Sequence, residues 1–441
     1  MSYIFLFATG FLISRLSVRY RLVELFFARI FQIRSDSFKQ FLLYVLLASA
    51  FVSMFTPNFI AALTLLPVLN TLAQSFTQHH EPKVARRLTT MMVCTVMYGC
   101  NIGGMGSLVG SPANALMLGA LELFKVENRE KINFLSWFGW SLPLVLIMAG
   151  IAWALVVYLF VPKRQRQEGI DIPEFHTSRE QPERVRRAWR AIGLWFGFWA
   201  LHSILQIAAP VGGWSITLFN FEIGWNLWDK LAALFGVCYA ALLFAPIFRA
   251  PNQQRQALLR LADCFNELPV RAFVFVAIIL AISALLIYLD VPEWLGSHLV
   301  QLIPQGLPPF AFYFSLCLIT TMSTEALSNT AVAVVLFPLI HGLALSLDLN
   351  PLVAMMAIGL ASTNAFMLPL GTPVNALLYG GVKNLSLATM ATSGFLLNVI
   401  SALWMAGFLE YVIPWYYGLQ DSFSTIMFAG AEAVLRLGGV F

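Results

Sequence analysis

Four short polar islands interrupt an otherwise apolar chain, and their side chains are of kinds that hold ions. Two lie in the second half: Ser328-Asn329-Thr330, inside TEALSNTAVAVVLFPLI, and Gly371-Thr372-Pro373-Val374-Asn375, inside AFMLPLGTPVNALLYG. A small hard cation takes up hydroxyl, amide and carbonyl oxygens, which a broken helix supplies. An anion takes up N–H and O–H donors at a helix start. Thr324 stands one helical turn before Ser328 and so faces the same side as that island. In lipid, helix-breaking residues at membrane depth persist only inside protein or beside a polar cavity. Gly371 and Pro373 interrupt a helix there, so two broken segments meeting at their breaks read as a binding site.

The islands recur. Upstream, Gly110-Ser111-Pro112-Ala113-Asn114 opens GSPANALMLG, which repeats GTPVNALLYG with Gly, Pro, Asn, Ala, Leu and Gly in register. Pro57-Asn58-Phe59 sits against Ser328-Asn329-Thr330, with Asn58 on Asn329 and Pro67 on Pro338. Pro57 lies 53 residues before Gly110, and Ser328 lies 43 before Gly371. Interrupted apolar segments at matching places in two halves are a pointer to a secondary-transport site.

The elements that must position the islands follow from the apolar runs. Hydrophobic residues make up 59% of the 441 and charged ones 11%, with a mean hydropathy of +0.76. That balance, at about 20 residues per span, reads as one all-α polytopic membrane protein. Residues 1–161 form a first repeat, with a re-entrant hairpin over 40–73 and a broken helix over 88–124. Residues 162–190 are a hydrophilic cytoplasmic linker. Residues 191–416 form the second repeat, with a hairpin over 312–347 and a broken helix over 352–381; 417–441 are a tail. Tyr3–Leu16 reads as a span and not as a signal peptide. Phe134–Val161, Ala191–Pro210, Leu231–Phe248, Val270–Leu289 and Met390–Val412 are further spans. The arms of the first hairpin, Gln40–Phe55 and Phe59–Ala73, are each too short for a comfortable crossing and read as re-entrant.

Loops 15–39, 83–87, 162–190 and 249–271 are basic, whereas 211–227, 290–310 and 341–350 carry no Lys or Arg. Placing the basic set in the cytoplasm gives a consistent alternation, with Lys125, Arg129 and Lys131 as the exception. The first hairpin then opens from the cytoplasm and the second from outside, an inverted repeat. This bias accounts for the net charge of +5, and no nucleic-acid partner is needed. The second half has 140 residues from Ala188 to its hairpin tip at Ser328, and the first has 57 up to its own. About two spans therefore lack a counterpart, which reads as a reduced scaffold or a displaced start.

TEALSNTAVAVVLFPL, AFMLPLGTPVNALLYG, IGGMGSLVGSPANALM and NFLSWFGWSLPLVLI resemble the divalent anion:sodium symporter family, which includes the solute-carrier 13 dicarboxylate and sulfate transporters. The resemblance runs from about Ile4 to Tyr416 and implies an elevator-type transporter of the cell membrane, usually a homodimer. It also implies that the chain begins near the family's fourth helix. Sodium would be the coupling ion, with no other cofactor. Thr324, Ser328, Asn329 and the carbonyls near Gly371 and Pro373 would form one sodium cage. Ser53, Pro57 (carbonyl only), Asn58 and Gly110 would form its counterpart. Asn58, Ser111, Ser328, Asn329, Thr330 and Thr372 would donate to the small anionic substrate. No Lys or Arg lies in any island, so cations and helix dipoles must balance the anion's charge.

Other features carry less. Glu325 is the one acid in the islands and is either a proton relay or a hydrogen-bond anchor for the hairpin. Gly104–Gly110 has the spacing GxGxxxG, which is not a nucleotide loop. His79-His80 reads as interfacial. The five cysteines are scattered with no CxxC, so they suggest neither disulfide nor metal. No Walker lysine motif, HExxH or GxSxG occurs, which excludes the commonest pump and hydrolase signatures. The chain reads as a symporter of C4-dicarboxylate or sulfate-like dianions and not as an enzyme. The alternatives are a non-transporting protein of the same fold, or another permease of the wider ion-transporter superfamily.

Overall fold

The chain is described as a computed structural model over residues 2–32, 37–169, 182–208, 214–218, 221–225, 227–246, 248–249, 255–265, 285, 288–289 and 307–419. Helices dominate. The first half contains α1 Ser2–Arg19, α2 Leu22–Phe31, α3 Phe38–Ser53, α4 Asn58–His79, α5 Pro82–Gly103, α6 Pro112–Leu123 and α7 Phe134–Leu155, which a π turn extends to Phe160. Then come α8 Pro182–Ala208, α9 Leu227–Phe244 and the short α10 Leu261–Phe265. The second half continues with α11 Pro309–Ala326, α12 Asn329–Ser346, α13 Pro351–Ala361, α14 Pro373–Gly381, α15 Leu387–Gly407 and α16 Ile413–Tyr417. The all-α reading needs one addition. Two antiparallel ribbons are present, β1 Trp214–Leu218 with β2 Phe221–Trp225, and β3 Phe248–Arg249 with β4 Arg255–Gln256. The expected span Val270–Leu289 and the tail after Leu419 lie outside the described residues, apart from 285, 288 and 289.

Proline places many of the helix starts. Pro82, Pro112, Pro309, Pro351 and Pro373 each stand at the start of a helix, where the missing N–H costs nothing. Side-chain caps complete several starts. Ser111 and Ser328 accept from the backbone N–H of Ala113 and Ala331, and Asn133 with Ser136 forms a capping box on α7.

The core lies around the first halves of the two broken helices. Every residue from Leu88 to Gly103 on α5 is buried, as is every residue from Leu352 to Ala361 on α13. α5 packs against α3, α4 and α7, and α13 packs against α11, α12 and α15, so the two halves repeat one arrangement. A Cβ on Gly103 would overlap the Ala50 carbonyl, and one on Gly99 would come within 2.6 Å of the Leu46 carbonyl. Glycine at both positions therefore lets α5 lie directly on the α3 backbone. α1, α8 and α9 pack on one another beside this body, joined by Trp195 Nε1 to Thr9 Oγ1 at 2.8 Å and by Tyr239 OH to the Ala191 carbonyl at 3.0 Å.

Two boundaries differ from the sequence reading. The linker ends earlier than 190, because α8 begins at Pro182 and carries residues 182–190 as helix, with Arg187 on Glu183 at 3.3 Å. Charge alone does not stop a helix when its charges pair across a turn. The second arm of the first hairpin, α4, is also longer than expected, at 22 residues, while α12 has 18. The helix continues through the polar stretch 70–77, past the expected hairpin end at residue 73. There Asn70 donates to the Leu66 and Gly381 carbonyls, and Thr71 and Thr77 bond back to Pro67 and Ala73. Shortness of α4 therefore does not argue for re-entry.

Six of the described helical stretches are long and apolar enough to cross a membrane: Asn58–His79, Phe134–Phe160, Pro182–Ala208, Leu227–Phe244, Asn329–Ser346 and Leu387–Tyr417.

Candidate functional site

The chain around each hairpin tip lies on the break that follows it in the same half of the chain. At the first, the side chain of Asn58 lies against Gly104, and a Cβ on Gly110 would come within 3.1 Å of the Met54 carbonyl. Ser107 Oγ donates to that same carbonyl. At the second, a Cβ on Gly371 would come within 3.1 Å of the Thr324 carbonyl. Glycine at 110 and 371 thus lets two strips of backbone oxygen approach closely.

Both breaks are held by an asparagine that sequence reasoning aligned but gave no role. Asn114 Nδ2 donates to the carbonyls of Gly104 (3.0 Å) and Ser107 (2.9 Å). Asn375 Nδ2 donates to those of Ala365 (3.0 Å) and Leu368 (2.9 Å). The acceptors lie ten and seven residues back in both cases, and both side chains are fully buried. The signal was available in the shared Gly-x-Pro-x-Asn, whose third member is the clamp.

The second break has an acidic anchor. Glu325 is buried and accepts from the backbone N–H of Phe366 (2.6 Å), Met367 (2.9 Å) and Leu368 (2.8 Å), and from Asn398 Nδ2 (2.7 Å). Of the two readings of this residue, the geometry is that of the anchor. The first break is covered differently: Trp137 Nε1 donates to the Met105 carbonyl (3.0 Å) and Ser141 Oγ to that of Gly106 (2.8 Å).

Helices from the two halves of the chain also pack on one another. α6 packs on α12, and α4 packs on α14. Phe124 stacks on His341 with centroids 4.4 Å apart, and each lies twelve residues beyond its helix start at Pro112 or Asn329. An antiparallel α6 would run off the end of α12 from that contact, so the two helices are parallel and their N-termini lie together. The other pair is parallel for a different reason: both helices run antiparallel to α5, α4 with Asn58 against Gly104, and α14 with Asn375 on Asn101 and the following Ser386 N–H on Thr90 Oγ1. Asn70 reaches the Gly381 carbonyl at 3.0 Å, and a Cβ on Gly381 would meet Leu66. Each pair therefore presents two positive helix ends side by side. Asn101 of α5 ties the halves further, donating to the Ala365 carbonyl (2.7 Å) and to Asn375 Oδ1 (3.2 Å). All four islands are linked through these contacts.

Individual site residues fall as follows. Ser53 is buried, its hydroxyl next to the Cys100 thiol and without an N–H or O–H partner among the described residues. Thr324 is buried and donates to the Thr321 carbonyl (2.8 Å). Asn58 Oδ1 and Asn329 Oδ1 are both buried without a hydrogen-bond partner among the described residues. Leaving such oxygens unpaired is costly in a packed interior, and oxygens of this kind suit a cation. Pro57 is exposed, and its carbonyl accepts from Ile60 N–H (2.9 Å). Ser328 is exposed at the tip, and Thr330 is half-buried. Ser111 accepts from Ala113 N–H and has no acceptor for its proton among the described residues. Thr372 differs: its proton goes to Asn375 Oδ1 (2.8 Å), while its oxygen accepts from Asn375 N–H (3.2 Å). The expectation that Thr372 donates to an anion does not match that geometry, because its single proton is already taken. His79 and His80 lie at the far end of α4, where His80 Nε2 is 3.6 Å from Glu168 Oε1, away from all four islands.

Comparison with known proteins agrees with this architecture. The crystal structure of the Alcanivorax borkumensis YdaH transporter superposes with a TM-score of 0.56 over 92% of this chain and 84% of that one, at 12% identity. The sodium-dependent dicarboxylate transporter SdcS of Staphylococcus aureus strain NCTC 8325 is 25% identical over 428 residues, covering 95% of this chain and 77% of that protein. The same protein from strain USA300 is 26% identical over 429 residues, with the same coverage. A sequence model of the family described as "Sodium:sulfate symporter transmembrane region" matches residues 2–417. The chain therefore belongs to the sodium:sulfate symporter transmembrane family, a family of integral membrane carriers and not of enzymes.

Proposed function

We propose that this protein is a sodium-coupled symporter of small divalent anions, C4-dicarboxylate or sulfate-like, working by an elevator movement. The observation that carries the reading is the packing of helices from the two halves of the chain on one another. It brings the N-termini of α6 and α12 together, and those of α4 and α14, with no Lys or Arg in any island. Four positive helix ends favour an anion, but partial charges alone do not neutralise a dianion. Cations bound alongside would complete the balance, which makes coupling a requirement of the electrostatics. Two sodium ions would neutralise one dianion.

In this reading Ser53, Asn58, Gly110 and the Pro57 carbonyl form one cation cage. Thr324, Ser328, Asn329 and the carbonyls near Gly371 and Pro373 form the other. Asn58, Ser111, Ser328, Asn329 and Thr330 donate to the anion. The family relationship and the relatives' sodium-dependent dicarboxylate transport support this assignment. An inverted repeat is supported by the matched clamps of Asn114 and Asn375 and by the alternation of basic loops. The elevator is supported by the interlocking of both hairpins with both broken helices in one body, with α1, α8 and α9 packed beside it. A homodimer follows the family.

Uptake of labelled succinate and of labelled sulfate into proteoliposomes, with an inward sodium gradient or with potassium in its place, tests the proposal. Uptake of either anion that needs sodium supports it. Uptake of both that is indifferent to sodium, or of neither in folded protein, overturns it. The latter result would favour a non-transporting protein of the same fold.

A further inference from the structure

Resting on that reading, we propose that Thr372 serves the cation and not the anion, and that Asn101 of the first repeat is the positioning residue that holds it so. The argument begins with Asn375, whose amide orientation is fixed. Its Nδ2 faces the carbonyls of Ala365 and Leu368, and exchanging O and N would set oxygen against oxygen twice. Asn375 Oδ1 must therefore accept. It takes the proton of Thr372 at 2.8 Å and an Nδ2 proton of Asn101 at 3.2 Å. Asn101 is fixed by the same logic, since its Nδ2 also donates to the Ala365 carbonyl at 2.7 Å.

What remains on Thr372 decides its role. A hydroxyl has one proton and two acceptor positions. The proton is on Asn375 Oδ1, and one acceptor position is filled by Asn375 N–H. A single lone pair is left, which can meet a cation and cannot donate to an anion. Thr372 sits between Gly371 and Pro373, whose carbonyls the proposed function assigns to the second cation cage, and its remaining lone pair is the one polar position it can offer there.

The first break lacks this device. Asn114 Oδ1 has no partner among the described residues, and Ser111 keeps an uncommitted proton. Ser362, in register with Asn101, turns its hydroxyl onto the Gly359 carbonyl of its own helix and reaches no break. The two breaks thus have opposite polarity. Ser111 keeps a free donor, and Thr372 keeps only an acceptor.

The test separates the sodium dependence from the anion dependence of uptake. Thr372→Val and Asn101→Ala should each raise the sodium concentration for half-maximal uptake by about tenfold, the scale of one lost oxygen–cation contact. The anion KM at saturating sodium should stay close to wild type. The double variant should add little to Thr372→Val, because both act through one oxygen. Thr372→Ser, which keeps the hydroxyl, should recover most of the loss. A second readout needs no transport: stabilisation of the detergent-purified protein against heat by sodium over potassium, with no anion present. It should shrink in both variants. Unchanged sodium dependence with a raised anion KM overturns the assignment and returns Thr372 to the anion side. Unchanged sodium stabilisation in both variants overturns it as well. Wild-type protein with no sodium dependence in either assay would instead remove the functional reading on which the assignment rests.

Discussion

Glu325 and Asn398 share a buried hydrogen bond of 2.7 Å, and through it the second hairpin tip, the second break and α15 become one unit. The carboxylate already takes three backbone N–H groups, so Asn398 fills its remaining capacity. Such an acid is a structural cap placed where a helix has been opened. Glu325→Ala should strand three backbone donors and lower thermal stability in detergent strongly, by several kcal/mol if each orphan costs about 1–3. Glu325→Gln should lie between Ala and wild type. If Glu325→Ala melts like wild type but loses uptake, the proton-relay reading returns.

The two clamp asparagines should differ in their cost. Asn114→Ala frees two carbonyls, whereas Asn375→Ala also removes the acceptor for Thr372 and Asn101. Melting curves of the purified variants should therefore place Asn375→Ala below Asn114→Ala, by about 1–2 kcal/mol for the extra bonds. Equal melting temperatures would argue against an asymmetric second break.

At the tips, Asn58→Ala and Asn329→Ala should each abolish sodium-dependent uptake while the protein stays folded. Both residues offer an unpartnered, buried amide oxygen, and both begin a helix whose N-terminus faces the site. Wild-type uptake by both variants at limiting sodium would falsify the cage assignment.

The first tip departs from the second in a way that bears on substrate choice. Pro57 stands where Ser328 stands, and Phe59 where Thr330 stands, so two hydroxyls and a backbone N–H are absent. Phe59 is 38% exposed and is not among the residues packed on the core, so it can be replaced at small cost in stability. Pro57→Ser with Phe59→Thr should raise affinity for succinate-sized dianions by about tenfold, or about 1.4 kcal/mol. Competition of unlabelled succinate against labelled substrate reads this directly. Unchanged succinate affinity would mean that both side chains point away from the anion.

The islands, their repetition and the helices on either side were legible from the sequence, because a break in a membrane helix leaves a local trace. Pro57, Pro112 and Pro373 mark helix starts wherever the chain folds, and the apolar runs between them fix the spans. The ends of α8 and α4 were less legible. Arg187 on Glu183, and Asn70 on the Gly381 carbonyl, satisfy polar groups in the stretches where the sequence alone places a linker and a hairpin end. What only the tertiary structure decided is pairing between residues far apart in the chain. No periodicity shows that α6 lies parallel to α12, that Glu325 caps 366–368, or that Asn101 reaches Asn375 across 274 positions. The polarity of Thr372 depends on which oxygen receives one proton, and that acceptor is oriented from the other repeat. Residue types told which atoms could bind, and the fold decided which of those atoms were already engaged.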